Sequence, residues 1–120
     1  MTKVLVVEDE QSVRELISTF LKDDGYEVID ADSAKKAEDL ATQQKPDVVV
    51  TDVVMPEKNG FELCRSLKKN EATQNIPVIV CSSKNQDLDI LWGKKQGADV
   101  YVTKPFTKDD IIKAVKSVAG

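Results

Sequence analysis

The 120-residue chain contains no histidine and only two cysteines. Without imidazole it can form neither a histidine-ligated zinc site nor a histidine-dependent catalytic triad. Cys64 and Cys81 form no CxxC pair and lie in apolar contexts, so we expect reduced, packed thiols in a cytoplasmic protein. Every apolar run is far shorter than a membrane span, and acidic residues follow the first run too soon for a signal peptide.

The chain also lacks a basic run, a low-complexity tract, an internal repeat and a Pro/Gly/Ser-rich linker. Its net charge is -4, and its lysines near the C-terminus alternate with acids and apolar residues. This charge pattern gives no support to direct binding of nucleic acid. A chain of this length is typical of one domain, so we expect a single domain over residues 1–120.

Short β-branched runs alternate with helical patterns along the whole chain. Five of these runs predict strands: KVLVV, EVIDA, DVVVT, PVIVCS and DVYVT. Three are almost continuously apolar, as is typical of parallel strands that helices cover on both faces. The order predicts an α/β fold of five β-α units, a doubly wound parallel sheet with the flavodoxin-like strand order 2-1-3-4-5.

Helix boundaries are also readable in the sequence. The first helix has apolar residues at helical spacing: Val13, Leu16, Ile17, Phe20 and Leu21. Gly25 is a natural residue to follow the end of this helix. Ser33 and Thr107 are plausible N-caps for the second and fifth helices, and Asp110 lies three residues after Thr107, the spacing of a capping box.

Polar residues stand where four of the predicted strands end. They are Glu8 and Asp9 after strand 1, Asp52 after strand 3, Ser82 and Ser83 after strand 4, and Lys104 after strand 5. Each has an ordinary explanation as a cap or a solvated loop residue. Since open α/β sheets collect their sites at this edge, beside the switch in strand order, we expect them to face one crevice.

The expected crevice holds more negative charge than one lysine can balance. Two carboxylates about 5 Å apart repel by roughly 3 kcal/mol at an effective dielectric constant of 20. Carboxylate and carbonyl oxygens with several waters suit Mg²⁺. A carboxylate nucleophile, a metal and a lysine are what phosphoryl transfer onto aspartate requires. In this interpretation Asp52 is the acceptor, while Mg²⁺, Lys104 and the Ser82 hydroxyl each bind one phosphoryl oxygen.

In their order and spacing these residues resemble the receiver domain of two-component response regulators. The resemblance runs from VLVVEDE through PDVVVTDVVMPEKNGFELCRSLK and IPVIVCSS to GADVYVTKPF. It implies a set of roles: Asp52 as phosphoacceptor, Asp9 and Asp52 as metal ligands, Glu8 reaching the metal through water, the Val54 backbone carbonyl as a further ligand, Lys104 as the phosphate-binding lysine, Ser82 as the switch hydroxyl and Tyr101 as the switch aromatic. It also implies a cis peptide bond before Pro105.

The resemblance further implies a mechanism and partners. A histidine kinase or phosphotransfer protein donates the phosphoryl group in a phosphorelay, with Mg²⁺ as cofactor and Mn²⁺ able to substitute. Ser82 then moves toward the phosphoryl group, Tyr101 turns inward, and the surface of helix 4, strand 5 and helix 5 binds a downstream protein. Such a protein is a signalling switch and not an enzyme with a separate substrate. We expect a monomer that contacts neither nucleic acid nor membrane.

Three positions bear on the rate of the switch. Glu8 stands where an aspartate is commoner in the family, and its extra methylene can alter metal affinity. Val54 and Lys84 occupy the positions expected to tune the lifetime of the phosphoryl group. An apolar Val54 gives no help in orienting an attacking water.

The stretch SSKNQDLDILWGKKQGADVYVTKP resembles stand-alone receivers of the chemotaxis-like systems that control type IV pilus twitching motility. Leu88, Leu91 and Trp92 are spaced as one helix face, so we expect Trp92 to pack in the core. Ile90 falls off that face and is expected to be exposed, a candidate partner contact with Lys94 and Tyr101. Gly93 in mid-helix indicates the close approach of a neighbouring element.

Other classes remain open at this point. A flavodoxin-like FMN carrier shares the predicted fold but needs a phosphate loop where this chain has Glu8, Asp9 and Glu10. A haloacid-dehalogenase-type phosphatase also uses an aspartyl nucleophile. In that family, however, the nucleophile follows the first strand, whereas Asp52 follows the third. A degenerate receiver would only bind partners. The chain ends at Gly120 after the fifth helix, so we expect a single-domain regulator without an output domain, with an excised receiver fragment as the alternative.

Overall fold

The computed structural model describes residues 2–119 and contains strands and helices in strict alternation. The strands are β1 Lys3–Val7, β2 Glu27–Ala31, β3 Val48–Asp52, β4 Val78–Ser82 and β5 Val100–Thr103. The helices are α1 Gln11–Asp23, α2 Ala34–Gln44, α3 Gly60–Lys69, α4 Asp87–Lys95 and α5 Lys108–Val118. Each predicted strand is present within one residue of its predicted ends.

The strands form one parallel sheet in the order β2-β1-β3-β4-β5, which confirms the predicted fold class. β3 lies at the centre, and all of its residues are buried. On one side Val50 pairs with Val6 of β1, and on the other with Ile79 of β4. Asp52, the last residue of β3, therefore leaves the sheet at the centre of its carboxyl edge.

Helices cover both faces of the sheet, which explains why the central strands are apolar without alternation. Leu5, Val49 and Val80 point into a core shared with α2 and α3. Val6 and Ile79 point into a second core shared with α1 and α5. Cys64 lies in the first core and Cys81 in the second; both are free thiols, as the sequence predicts.

The predicted helix ends are present. The Ser33 side chain accepts a hydrogen bond from the Lys36 amide at 3.2 Å, and Thr107 forms a reciprocal capping box with Asp110. Gly25 follows α1 with a φ of 89°, a left-handed conformation that glycine adopts without strain.

The orientation of α4 differs from the prediction. Leu88, Leu91 and Trp92 are 76%, 52% and 49% exposed, whereas Ile90 is half-buried. The prediction that Trp92 packs in the core and that Ile90 is exposed was therefore wrong. The reason is Gly93, which is buried and lets the helix approach its neighbours so closely that the opposite side, with the two leucines, faces solvent.

Trp92 lies at the border of this exposed side. Its ring meets the Phe61 ring of α3 edge-on, with the ring centroids 4.8 Å apart and the planes at 88°. An edge-to-face contact of this kind holds one side of the indole while the other side remains in solvent. Across residues 2–119, the helices are too short or too polar to cross a lipid bilayer.

Candidate functional site

Three carboxylates meet at the carboxyl edge of the sheet. One oxygen each from Glu8, Asp9 and Asp52 can be chosen so that all three lie within 4.8 Å of one another. Glu8 and Asp52 are buried, at 2% and 8% exposed, while Asp9 is exposed. The sequence predicted this convergence from two strand ends, and the structure confirms the geometry.

The Glu8 carboxyl group is only half-satisfied by hydrogen bonds. Its Oε1 accepts from the Glu10 amide at 3.1 Å, whereas its Oε2 is buried and has no hydrogen-bond partner within residues 2–119. Burial raises the pKa of Glu8 to about 7, and the charge of Asp52 adds to the rise, although the hydrogen bond from Glu10 lowers it. A buried carboxylate oxygen without a donor is suited to a cation or to water bound to a cation.

Lys104 supplies positive charge from the end of β5. Its Nζ lies 2.6 Å from Oδ1 of Asp52. Burial by itself lowers the pKa of Lys104, but the hydrogen bond to Asp52 and the charges of Asp52 and Glu8 outweigh burial and raise it. Lys104 is therefore charged at neutral pH, and its peptide bond to Pro105 is cis, as the family resemblance implies.

The loop that follows Asp52 is held against the acceptor. The Gly60 amide donates to the Val53 carbonyl at 2.8 Å, and a Cβ on Gly60 would collide with the backbone carbonyl oxygen of Asp52. Only glycine fits there. Asn59 caps α3 in a reciprocal box with Glu62 and so fixes where the loop ends.

These groups surround a cavity of about 290 Å³. Its lining includes the three carboxylates, Lys104, Val54, Ser82 and Ser83. Ser82 is 4% exposed, and Val54 is 74% exposed at the rim. The structure therefore brings every residue predicted to bind the metal or the phosphoryl group into one cavity. These residues lie at the ends of four of the five strands.

The two predicted switch residues are linked through Lys84. The Ser82 Oγ accepts from the Lys84 amide at 3.1 Å, and the Tyr101 hydroxyl donates to the Lys84 carbonyl at 2.8 Å. The Tyr101 ring lies inward against α4, where a Cβ on Gly93 would come 2.8 Å from two ring carbons. The close approach expected at Gly93 is thus to Tyr101.

Tyr101 lines a second, smaller cavity of about 200 Å³. Phe61, Lys84, Asp89 and Trp92 complete its lining. Ile90 and Lys94, which the sequence grouped with Tyr101 as partner contacts, are outside both sets of lining residues. Lys94 is exposed on α4, while Ile90 is half-buried.

Arg14 contributes to the site, and the sequence did not predict it. Its Nη1 donates to the Glu8 carbonyl at 2.8 Å, and its Nε lies 3.6 Å from Asp30 of β2. It therefore holds the turn that presents Glu8 and Asp9. The sequence did contain a signal for this role. Arg14 lies between Val13 and Ile17 on the inner half of a helix, where a charged side chain needs a partner.

The donor set fits Mg²⁺. Carboxylate oxygens in an open, polar cavity, with backbone carbonyls nearby, are the hard ligands that Mg²⁺ takes together with water. The buried, unpaired Oε2 of Glu8 and the net charge of the three carboxylates against one lysine both favour a divalent cation.

Comparison with known proteins gives one consistent result. Residues 4–116 match the family described as the response regulator receiver domain. The chain is similar to Protein PilH of Pseudomonas aeruginosa, at 39% identity over 118 residues and 98% of each chain. Among solved structures it resembles chemotaxis protein CheY4 of Vibrio cholerae, with a TM-score of 0.92, 31% identity and 98% of each chain covered. The receiver domain of the Francisella response regulator 1452 has a TM-score of 0.93 and 33% identity, covering 99% of this chain and 97% of that one.

Proposed function

Because this chain belongs to the response regulator receiver family, a class of two-component signalling switches that bind Mg²⁺ in an acidic pocket, we propose that it accepts a phosphoryl group on Asp52. The donor is a histidine kinase or a phosphotransfer protein. One observation carries the proposal: Asp52 ends the central strand with Glu8 and Asp9 within 4.8 Å and Lys104 at 2.6 Å.

In the proposed reaction an Asp52 oxygen forms a bond to phosphorus while the bond from phosphorus to the donor nitrogen breaks. Lys104 donates to one phosphoryl oxygen and the Ser82 hydroxyl to another. Asp9, Asp52 and the Val54 carbonyl would hold Mg²⁺, or Mn²⁺ in its place, and Glu8 would reach the ion through water. The ion supplies charge neutralisation, the main requirement of phosphoryl transfer. The chain catalyses its own phosphorylation and dephosphorylation only.

The switch uses the two hydrogen bonds of Lys84. A move of the Ser82 hydroxyl toward the phosphoryl group releases the Lys84 amide, and the Lys84 carbonyl is the acceptor of the Tyr101 hydroxyl. Shifting a two-state equilibrium from 1:99 to 99:1 needs about 5.5 kcal/mol of differential interaction. Two or three hydrogen bonds to a charged phosphoryl group supply that amount. The surface of α4, β5 and α5, which includes Lys94 and Tyr101, then changes its preference for a downstream protein.

The similarity to Protein PilH supports a role in control of type IV pilus motility. In this proposal the chain is a cytoplasmic monomer that acts by protein contact, without direct contact to nucleic acid or membrane. The net charge of -4 agrees with that mode of action.

Acetyl phosphate with Mg²⁺ tests the proposal. Intact-mass measurement is expected to find one phosphoryl group per wild-type chain and none on Asp52→Asn. Asp39→Asn removes an exposed aspartate of α2 and serves as the matched control that still accepts the group. A modification that persists in Asp52→Asn would refute the assignment of the acceptor.

Further measurements separate the alternatives. Steady turnover of a small phosphate ester would favour a phosphatase over a receiver, and a flavin absorption spectrum would favour an FMN carrier. Beryllofluoride, a phosphoryl mimic, is expected to change the fluorescence of Trp92, because that indole and Tyr101 line the same small cavity. A degenerate receiver would give neither a mass increase nor a fluorescence change.

A further inference from the structure

The loop between β3 and α3, residues 53–59, carries the Val54 peptide at the rim of the acidic cavity. Both ends of the loop are fixed: the Val53 amide donates to the Cys81 carbonyl at 3.2 Å, and Asn59 caps α3. Met55 is 7% exposed and anchors the first half in the core. Pro56 and Glu57 are exposed, and Glu57 has a φ of 68°.

Lys58 ties this exposed turn to two helices. Its Nζ lies 3.1 Å from Oε1 and 3.0 Å from Oε2 of Glu38 on α2, and it also donates to the Ser66 hydroxyl on α3. The side chains of Lys58 and Glu38 are both about one-third exposed, at 33% and 32%. One ammonium group thus joins the loop, α2 and α3 through three contacts.

We infer that Lys58 is a positioning residue for the magnesium site, an inference that rests on the proposed function above. Lys58 is outside the lining of the acidic cavity, and Glu38 neutralises its charge, so it contacts neither metal nor phosphoryl group. Its effect is on the loop: the tie to α2 and α3 fixes the turn and, through Met55, the direction of the Val54 carbonyl. A ligand carbonyl must be held in place for an octahedral ion that tolerates little distortion.

The competing explanation is an ion pair that only stabilises the fold. Lys68 of α3 provides the matched control, because its Nζ also connects its own segment to two others. It lies 2.8 Å from Asp99 and donates to the Ile76 carbonyl at 3.1 Å, and its side chain is 25% exposed. It is an ion pair of the same type at the other end of α3, away from the loop.

The experiment compares Lys58→Met, Glu38→Gln and Lys68→Met with the wild type. Amide hydrogen exchange of residues 54, 55, 57 and 58, measured by NMR without metal, reports the order of the loop directly. Calorimetric titration with Mg²⁺ reports affinity without any phosphoryl transfer. We expect faster loop exchange and about 3- to 10-fold weaker Mg²⁺ binding in Lys58→Met and Glu38→Gln, and wild-type values for both in Lys68→Met.

The reversed pair, Glu38→Lys with Lys58→Glu, is expected to restore Mg²⁺ affinity, because it re-forms the ion pair between the loop and α2 with the charges exchanged. Unchanged loop exchange and Mg²⁺ affinity in Lys58→Met would overturn the inference, as would an equal loss in Lys68→Met. A wild type that binds no Mg²⁺ would instead overturn the proposed function, and the exchange rates in the metal-free protein would still decide whether Lys58 orders the loop.

Discussion

Lys104 and Asp52 form an ion pair of 2.6 Å inside a cavity that contains two further carboxylates. The lysine comes from the end of β5 and the aspartate from the end of β3, with β4 between them. The contact therefore depends on the sheet and not on local sequence. It places the cation of the pocket directly beside the proposed acceptor.

Lys104→Met is expected to slow phosphorylation by acetyl phosphate about 100-fold, because it removes one donor to the oxygens on which charge develops. The rate of mass increase at saturating Mg²⁺ measures the effect. Lys108→Met is the control and should react at the wild-type rate, because it removes a half-exposed lysine at the start of α5 that lies 3.9 Å from Asp23 of α1. Equal rates for all three proteins would contradict the role of Lys104.

The raised pKa of Glu8 predicts an unusual pH dependence in the metal-free protein. Unfolded, Glu8 loses its proton near 4.5; folded, it retains the proton until about 7. Between these values the folded state binds more protons, so the free energy of unfolding falls as the pH rises. We expect the wild type to lose about 1–3 kcal/mol over this range relative to Glu8→Gln.

Urea unfolding of both proteins from pH 4.5 to 7.5, followed by Trp92 fluorescence, measures this difference. Parallel stability curves would contradict the assignment of the proton to Glu8. Mg²⁺ is expected to reduce the loss in the wild type, because it binds the ionised carboxylates and thereby stabilises the folded state at the higher pH.

Gly93→Ala tests the fit between α4 and Tyr101. Alanine favours a helix by about 1 kcal/mol over glycine, yet its Cβ would meet the Tyr101 ring at 2.8 Å and the Phe61 ring at 3.1 Å. We expect a net loss of about 1–3 kcal/mol in the free energy of unfolding. In a Tyr101→Ala background the same substitution should be neutral or stabilising, and a double-mutant cycle from urea unfolding measures the coupling. Additive effects would contradict the contact.

Val54→Asn tests what limits the lifetime of the phosphoryl group. Val54 is 74% exposed at the rim, and its side chain has no polar atom to orient a water molecule. An asparagine there supplies that atom, so we expect the lifetime to shorten about threefold or more. The decay of the phosphorylated mass after removal of acetyl phosphate measures it. Val54→Ala, equally apolar, should keep the wild-type lifetime; an unchanged lifetime in Val54→Asn would contradict the prediction.

The sequence predicted the sheet because its signals are local and strong. The continuous apolar runs of β1, β3 and β4 can be buried only in a sheet covered on both faces, and Ser33 and Thr107 cap helices through their immediate neighbours. The acidic cavity followed from the topology, because parallel strands deliver their carboxyl ends to one edge. Asp52 and Lys104 could be brought together in this way without any contact being visible in the sequence.

Side-chain contacts between distant elements could not be predicted. The apolar spacing of Leu88, Leu91 and Trp92 is typical of a buried face, but the absence of a side chain at Gly93 decides which side of α4 meets the sheet. In α1 the same limit applies: Leu16 is 47% exposed, while the neighbouring Ser18 is buried. The contacts of Arg14 with Glu8 and of Lys58 with Glu38 depend on rotamers that only the packed structure defines.

The inward burial of both thiols makes this chain convenient to label. Burial raises the pKa of Cys64 to about 11 and that of Cys81 to about 12, so neither is a reactive thiolate at neutral pH. A new cysteine at an exposed position of α4, such as Leu88→Cys, would be the one thiol that a maleimide dye reaches in the folded chain. A fluorophore there would follow the motion of α4 in real time, with the native cysteines left in place.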